Sequence, residues 1–246
     1  MRQVGLIGCG KIGRPVARAL LRGTAGEHAL AAVLGRSARA LDGFPVTDDP
    51  EAFFAGRPSL VIEAGGPEAF RHYAARALEG GDLLAVSPLP LADAALEREL
   101  RDIARRTGHS LRIAPGAIGG LDALATAMAA GLDRLEAFVE LGPSEGDAEE
   151  LLFEGSVREA AQRYPDEINV AATVALAGPG FDATRVRITR PPRGTRGRKM
   201  GFRVTSRAGD FEVLSRPRVS PAEDLHATAF SVIALLRGQA PGIVVG

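Results

Sequence analysis

A glycine-rich turn near the N-terminus constrains the fold of this chain more than any other feature. The apolar residues 4–7 predict a buried strand, and residues 14–21 carry apolar side chains at helical spacing. Between them lie Gly8, Cys9, Gly10, Lys11, Ile12 and Gly13. A strand, a glycine turn and a helix in this order predict a dinucleotide site, and we expect all six turn residues to contact the cofactor.

Each glycine of the turn has a mechanical reason to be there. Gly8 allows the tight turn, Gly10 lets the backbone approach a pyrophosphate, and Gly13 lets the helix pack close to the strand. The helix N-terminus presents unpaired N–H groups to the phosphates. Cys9 occupies a position where a small residue is needed. The alternative is a turn that only connects the strand to the helix.

The end of the second predicted strand, residues 29–34, indicates which dinucleotide binds. A site specific for NAD has an Asp or Glu there to bond the ribose 2′-hydroxyl, but this chain has Gly35-Arg36-Ser37. A guanidinium and a hydroxyl can hold a 2′-phosphate through charge-assisted hydrogen bonds. We therefore predict that Arg36 and Ser37 bind NADP. The alternative is that Arg36 is a solvated loop residue and that NAD is accepted as well.

The composition excludes several classes of protein. The 246 residues are 46% hydrophobic and 24% charged, as is ordinary for a globular chain of one large or two modest domains. Basic and acidic residues number 30 each, so no nucleic-acid or membrane partner is expected. A single cysteine excludes a disulfide framework and a multi-cysteine metal site. Without a signal peptide or a membrane-length apolar run, a cytoplasmic location is expected.

Strands and helices alternate through the first half of the chain. Further strands are predicted over residues 60–64, 83–87 and 110–114. Five strands joined by helices predict a Rossmann-type doubly wound parallel sheet over residues 1–120. The third strand ends in Ala64-Gly65-Gly66. Small residues at that edge leave room for the ribose and nicotinamide, so Ala64 and Gly65 are predicted to bind the cofactor.

The pattern changes after a second glycine-rich turn, residues 115–120. Beyond it, strands and helices predict a mixed α+β domain over residues 121–240 that binds substrate and forms the dimer contact. Its last helix is expected over residues 222–237. Residues 241–246 are expected to form a terminal strand that returns toward the first domain.

Several segments along the chain resemble the L-aspartate dehydrogenase family in order and spacing. They are GLIGCGKIG, VIEAGGPEAF, LPLAD, PGAIGGLDAL, FEGSVREAAQRYPDEINVAAT and the C-terminal helix with its trailing IVVG. The resemblance implies an NAD(P)-dependent enzyme, usually a dimer, that interconverts aspartate with oxaloacetate or iminosuccinate and ammonia. It also implies that Ala117 and Asn169 contact the nicotinamide part of the cofactor. For Asn169 the alternative is a helix N-cap.

Four substrate-side positions depart from the family pattern. The family's catalytic histidine corresponds to Met200, which cannot transfer a proton. Its Lys-Pro-Pro is replaced by Leu141-Gly142-Pro143, its serine before GAIGG by Pro115, and its Asn-Pro-x-Thr-Ser by residues 221–225. We therefore predict an enzyme of this type, acting on a CH–NH2 or C=NH group, with an altered substrate site. The alternative is a catalytically silent NADP-binding sensor or partner protein.

His226 and Lys199 are the candidates to replace the missing histidine. His226 lies beside the altered segment 221–225, on the predicted last helix. Lys199 precedes Met200 and needs burial to act as a base. The alternative for His226 is a structural role in the helix, and the alternative for Lys199 is an ordinary loop position without a catalytic role. The other three histidines are expected to be solvated: His28, His72 and His109.

A basic stretch surrounds the segment that contains Met200. Its members are Arg187, Arg190, Arg193, Arg196, Arg198, Lys199 and Arg203. Arginine forks fit carboxylates, so one interpretation is a clamp for an anionic small-molecule substrate. The other is a mobile, solvated loop. The stretch has no interleaved aromatic residues, which argues against nucleic acid.

Overall fold

The computed structural model describes residues 1–37, 39–220 and 225–238, and for Arg39, Ala40, Val219 and Leu225 it describes the backbone only. Two expectations therefore lie outside the described residues. They concern the terminal strand over residues 241–246 and positions 221–224 of the altered segment. None of the helices within the described ranges is long and apolar enough to cross a membrane.

The first unit contains a parallel sheet flanked by helices. Up to the unit boundary its elements are β1 (Arg2–Ile7), α1 (Gly13–Leu21), β2 (His28–Leu34), β3 (Arg39–Leu41), β4 (Phe44–Val46), α2 (Pro50–Ala55), β5 (Leu60–Glu63), α3 (Pro67–Gly80), β6 (Asp82–Ala85), a 3-10 helix (Leu89–Ala92), α4 (Ala94–Thr107) and β7 (Leu111–Ile113). The strand order is β2-β1-β5-β6-β7, with every pair parallel. The predicted doubly wound sheet is confirmed, and its order reverses between β1 and β5.

A small hairpin in this unit was not anticipated by the sequence pattern, which predicts a link over residues 38–45. In the structure β3 and β4 pair antiparallel around Asp42-Gly43. The φ angles of these two residues are +50° and +84°. A two-residue turn with both φ angles positive is the kind that Asp-Gly favours, so this dipeptide is the signal for the hairpin.

The second unit is a mixed sheet covered by helices. Its elements are α5 (Leu121–Ala130), β8 (Leu132–Glu140), β9 (Glu150–Ser156), α6 (Val157–Arg163), α7 (Asn169–Ala177), β10 (Arg185–Arg190), β11 (Met200–Ser206) and β12 (Gly209–Ser215). The strand order is β12-β11-β8-β10-β9, in which only the β8–β10 pair is parallel. This sheet confirms the predicted α+β class. The apolar helix α7 packs on β8 and β11 and between α5 and α6.

The chain then returns to the first unit. The returning elements are β13 (Val219–Ser220), β14 (Leu225–His226) and α8 (Ala227–Arg237). Compact units form from Met1–Gly116 with Val219–Gly246, and from Ala117–Arg218. The expectation that the last helix belongs to the second domain is therefore wrong.

Core packing explains this correction. Val232 and Leu236 of α8 lie in the same buried cluster as Val4 and Leu6 of β1. Helical periodicity identifies the apolar face of α8, but it cannot show which sheet that face covers. The predicted boundary after residue 120 also moves by four residues, because the unit boundary lies between Gly116 and Ala117.

Candidate functional site

The first glycine turn joins β1 to α1 at the carboxyl edge of the parallel sheet. Gly8 has a φ of +91°, and its N–H donates to the carbonyl oxygen of Leu34 at 2.8 Å. A Cβ atom on Gly8 would lie 2.5 Å from the carbonyl oxygen of Ala64. A Cβ atom on Gly13 would lie 1.9 Å from the carbonyl oxygen of Gly8. The protein's own backbone therefore requires glycine at both positions.

Gly10 has a different environment. It is exposed, and a Cβ atom there would meet none of the described atoms within 4 Å. Internal packing thus gives no reason for glycine, whereas the close approach of a ligand does. The adjoining helix α1 has no side-chain cap at Ile12, so its first N–H groups can bind a phosphate. Together these features fit the diphosphate of a dinucleotide.

The remaining turn residues divide into core and surface positions. The Cys9 side chain is only 4% exposed and lies in the core cluster of the first unit. Lys11 is exposed and Ile12 is half-buried. Cys9 can therefore contact a cofactor only through its backbone, while the Lys11 ammonium is accessible to a phosphate.

A second turn follows β5 at the same edge of the sheet, in the segment Glu63-Ala64-Gly65-Gly66. The Glu63 carboxyl is 1% exposed, and its Oε1 accepts the N–H groups of Gly65 and Gly66 at 2.8 Å each. Ser87 donates its hydroxyl to the same oxygen at 3.2 Å. Burial raises the pKa of Glu63, although the backbone hydrogen bonds oppose the shift. The predicted Ala64 and Gly65 are thus held in place by a carboxylate that the sequence prediction missed.

The residues predicted to bind a 2′-phosphate lie just after β2. The N–H of Gly35 donates to the carbonyl oxygen of Thr47 at 2.8 Å, which fixes the start of the loop. Arg36 and Ser37 are exposed. None of the carboxylates in the described part of the chain forms an ion pair with Arg36. Its guanidinium is therefore available to an anion.

His226 lies close enough to Lys11 of the glycine turn for the charge of that lysine to affect it. It ends β14 and precedes α8, which corrects its predicted place on the helix. Its Nδ1 is buried and has no hydrogen-bond partner among the described residues. Burial lowers the pKa of His226, and the charge of Lys11 lowers it further. The neutral imidazole, which can accept a proton, is therefore favoured.

Of the other three histidines, His28 also has a buried ring nitrogen, Nε2, without a hydrogen-bond partner among the described residues. His28 is only 4% exposed, with Nδ1 at 3.1 Å from the carbonyl oxygen of Ala25, so the expectation that it is solvated is wrong. His72 is exposed, as expected. His109 is half-buried, with Nδ1 at 2.8 Å from the carbonyl oxygen of Leu78.

In the second unit, Glu140 holds the segment around Lys199 and Met200, which is predicted from the resemblance to match the family's catalytic loop. Lys199 donates its N–H to Glu140 Oε2 at 2.7 Å, and its Nζ lies 3.5 Å from Oε1. The Lys199 side chain is 46% exposed, so it lacks the burial expected of a catalytic amine. The Met200 side chain is buried, at 9% exposure.

Ion pairs neutralise most of the basic stretch. The pairs are Arg187 with Glu154 at 3.2 Å, Arg190 with Glu150 at 3.9 Å, Arg193 with Asp147 at 3.0 Å and Arg203 with Glu212 at 2.8 Å. Neither a clamp of seven cations nor a freely solvated loop describes this arrangement. Within the described ranges, Arg196 and Arg198 form no ion pair.

A cleft of about 890 Å³ in the second unit brings together two segments that are predicted from the sequence to depart from the family pattern. It is lined by residues 141–150, Glu167, Arg190 and Arg198. Leu141-Gly142-Pro143, the first of these segments, forms one part of the wall. Arg198, two residues before Met200, forms another, and its guanidinium forms no ion pair with a carboxylate of the described residues. The cleft is large enough for a small amino acid.

The two positions predicted from the family resemblance also lie in the second unit. Asn169 is the first residue of α7, and Ile168 is its N-cap, so the N-cap alternative for Asn169 is wrong. Both Ala117 and Asn169 are half-buried. Their contact with a cofactor stays a prediction. No cluster of three metal-ligating side chains occurs in the part of the chain that the structure describes.

Comparison with known proteins gives consistent matches over the whole chain. The family model described as "Aspartate dehydrogenase, C-terminal" matches residues 113–239, and that described as "Homoserine dehydrogenase, NAD binding domain" matches residues 8–114. "L-aspartate dehydrogenase 2" of Bordetella bronchiseptica is 33% identical over 99% of both chains. The L-aspartate dehydrogenase of Ruegeria pomeroyi is 35% identical over 88% of this chain and 82% of its own. The crystal structure of aspartate dehydrogenase from Thermotoga maritima covers 100% of both chains with a TM-score of 0.81 at 23% identity, a likeness of fold.

Proposed function

The chain belongs to the aspartate dehydrogenase family, and from that premise we propose that it is an NADP-dependent enzyme acting on a CH–NH2 or C=NH group with an altered substrate site. Membership of the family supports the broader activity class, an aspartate dehydrogenase-like NAD(P)-dependent oxidoreductase. The proposed substrate is a small amino acid, or the imine derived from it. We also propose a homodimer, as the family resemblance implies.

The observation that carries the proposal is the free space beside the backbone of Gly10. The protein's own packing requires glycine at Gly8 and Gly13 on either side, but not at Gly10. Bound NAD(P) supplies hydride transfer. The turn from Gly8 to Gly13 holds the diphosphate through backbone N–H groups, and Arg36 with Ser37 holds the 2′-phosphate. Oxidation of NADPH in the presence of ammonia and a keto acid tests the proposal.

Proton transfer is assigned to His226, with Lys199 as the second candidate. A neutral imidazole can take a proton from an amine or from an attacking water, and its lowered pKa keeps it neutral near pH 7. Lys199 is favoured less, because its side chain is about half exposed and its Nζ already faces the Glu140 carboxylate.

The altered substrate site is assigned to the cleft of the second unit. Among the described residues that line the cleft, Arg198 is the cation that forms no ion pair, so its guanidinium is the group we expect to bind a substrate carboxylate. Five carboxylates also line the cleft: Glu145, Asp147, Glu149, Glu150 and Glu167. Asp147, Glu149 and Glu150 pair with Arg193, Arg187 and Arg190. Within the described ranges Glu145 and Glu167 form no ion pair, and these two repel a second negative charge, which favours a substrate with fewer carboxylates than aspartate.

A catalytically silent NADP-binding protein is the second candidate function. It is favoured by Met200, whose thioether stands in place of the family's histidine and is buried. Both candidates bind NADPH, but only the enzyme consumes it.

Replacing Arg36 with aspartate should invert the cofactor preference. Removal of a charge-assisted bond and introduction of a repelling carboxylate should raise the Kd for NADPH about 10- to 150-fold, while the Kd for NADH changes little. Calorimetric titration measures both constants. Arg98→Asp, the same charge change at an exposed position of α4, serves as the control. If Arg36→Asp raises the Kd for NADPH and the Kd for NADH by the same factor, Arg36 does not bind the 2′-phosphate.

A further inference from the structure

We infer that Arg14 is a second cofactor-binding cation, which holds the 2′-phosphate of NADPH together with Arg36. The inference rests on the proposed function, since it requires that the chain binds NADP through Arg36. It goes further by adding a specificity-determining residue on a different element, helix α1. A phosphate monoester carries about 1.5 to 2 negative charges near pH 7, so two guanidinium groups match it better than one.

The first observation concerns the exposed side of α1. Arg14, Arg18 and Arg22 follow one another at intervals of four residues, so they lie along one side of the helix, with Arg22 at its C-cap. Arg18 donates two hydrogen bonds to the Asp42 carboxylate, at 2.5 and 3.1 Å, and its charge is thereby neutralised. Arg14 is exposed and forms no ion pair with the residues that the structure describes. Its charge is therefore available to a ligand.

The second observation places this side of α1 next to the hairpin that follows Arg36. Asp42 lies at the tip of the β3–β4 hairpin. The pKa of Asp42 is lowered by the hydrogen bond from Arg18, and the charges of Arg22 and Arg14 lower it further. The hairpin tip therefore lies close to the row of arginines that begins with Arg14.

The third observation places the start of the same segment beside the first turn of α1. A Cβ atom on Gly35 would lie 3.5 Å from Cys9 Sγ, so the residue before Arg36 contacts the glycine turn. That turn leads directly into α1, and Arg14 is the second residue of the helix. Both arginines therefore start from backbone at the carboxyl edge of the parallel sheet, where the adenosine ribose of a dinucleotide lies.

These positions make a site for a phosphate monoester between two elements. Arg36 reaches the phosphate from the loop after β2, and Arg14 reaches it from the first turn of α1. The hydrogen bonds from Arg18 neutralise the Asp42 carboxylate, which would otherwise repel the phosphate. NADH has a hydroxyl in place of the 2′-phosphate, so it gains no ion pair from Arg14.

The test measures the binding of NADPH and NADH to the variant Arg14→Gln by titration calorimetry. Position 14 is exposed and glutamine is a good helix former, so the variant should fold. We expect the Kd for NADPH to rise about 10- to 100-fold, as for the loss of a charge-assisted contact, and the Kd for NADH to change less than about twofold.

Arg22→Gln is the matched control, because it removes the same charge from the same side of α1. Arg22 is also exposed, and its charge also acts on Asp42, but it lies eight residues further along, about 12 Å from Arg14. This variant should bind both cofactors as the unchanged protein does.

Three outcomes would overturn the inference. The first is a wild-type Kd for NADPH in Arg14→Gln. The second is an equal rise in the Kd for NADPH and for NADH, which would place Arg14 at the diphosphate. The third is the same loss of NADPH affinity in Arg22→Gln, which would indicate a long-range effect of charge. Failure of the proposed function is recognised separately, because the unchanged protein would then bind neither cofactor, and the inference would fail with it.

A pair of smaller ligands isolates the phosphate itself. Adenosine 2′,5′-bisphosphate and adenosine 5′-monophosphate differ only in the 2′-phosphate. The unchanged protein should bind the bisphosphate more tightly, and Arg14→Gln should reduce the ratio of the two affinities about 10-fold or more. An unchanged ratio would contradict the assignment of Arg14 to the 2′-phosphate.

Discussion

Gly10→Ala is expected to raise the Kd for NADPH about 100-fold or more, which corresponds to ~2.7 kcal/mol, while the Tm of the protein stays unchanged. The added Cβ meets no described atom within 4 Å, and the φ of Gly10 is not in the left-handed region, so the fold accommodates alanine. The same atom occupies the space in which the diphosphate approaches the backbone N–H groups. Several charge-assisted bonds therefore lengthen together. Titration calorimetry and a thermal melt measure the two effects separately.

Two other glycines serve as controls for this prediction. Gly13→Ala places a Cβ atom 1.9 Å from the carbonyl oxygen of Gly8, so it should lower the stability as well as the affinity, by about 1–3 kcal/mol or more. Gly80→Ala, near the end of α3, has open space and should change neither. Wild-type affinity in Gly10→Ala would show that no diphosphate lies beside this turn.

His226→Asn is expected to lower kcat about 100- to 10,000-fold while the Kd for NADPH changes only a few-fold. Asparagine retains a polar side chain of similar size but cannot act as a base near neutral pH. His72→Asn, at an exposed position on α3, is the control and should be fully active. If His226→Asn and Lys199→Ala both retain kcat, neither residue transfers the proton.

The pH profile adds a second readout for His226. Burial and the charge of Lys11 lower its pKa below the ordinary value of 6.5. The base form is therefore present above that value, and amine oxidation should fall only as the pH drops below 6.5. His226→Asn should lose this acidic limb. The lowered pKa also means that this histidine destabilises the folded state as the pH falls below 6.5, because the unfolded chain takes up the proton first.

The sequence alone was sufficient for the features that depend on local pattern. The five parallel strands follow from short apolar runs between helices, and the roles of Gly8 and Gly13 follow from a turn that leaves no room for Cβ. For Gly10 the sequence predicts the close approach of a pyrophosphate, and this stays a prediction; the structure adds that Gly10 is exposed and that a Cβ atom there meets no described atom within 4 Å.

Features that depend on partners distant in sequence could not be predicted. Helix α8 packs with β1, which lies more than 200 residues earlier in the chain. Glu63 appears as one acidic residue in an apolar run until the fold brings Ser87 and the turn N–H groups to it. The ion pairs of the basic stretch join residues such as Arg193 and Asp147, and periodicity carries no information about such pairs.

The most direct test of the proposed function is NADPH oxidation by the purified protein with ammonia and oxaloacetate, alongside a panel of other keto acids and preformed cyclic imines. We expect NADPH to be consumed with at least one compound of the panel, and more slowly with oxaloacetate than with that compound. Fastest turnover with oxaloacetate would contradict the altered substrate site while leaving the enzyme class intact. Tight NADPH binding without turnover of any compound would contradict the proposed enzyme and establish the silent binding protein in its place.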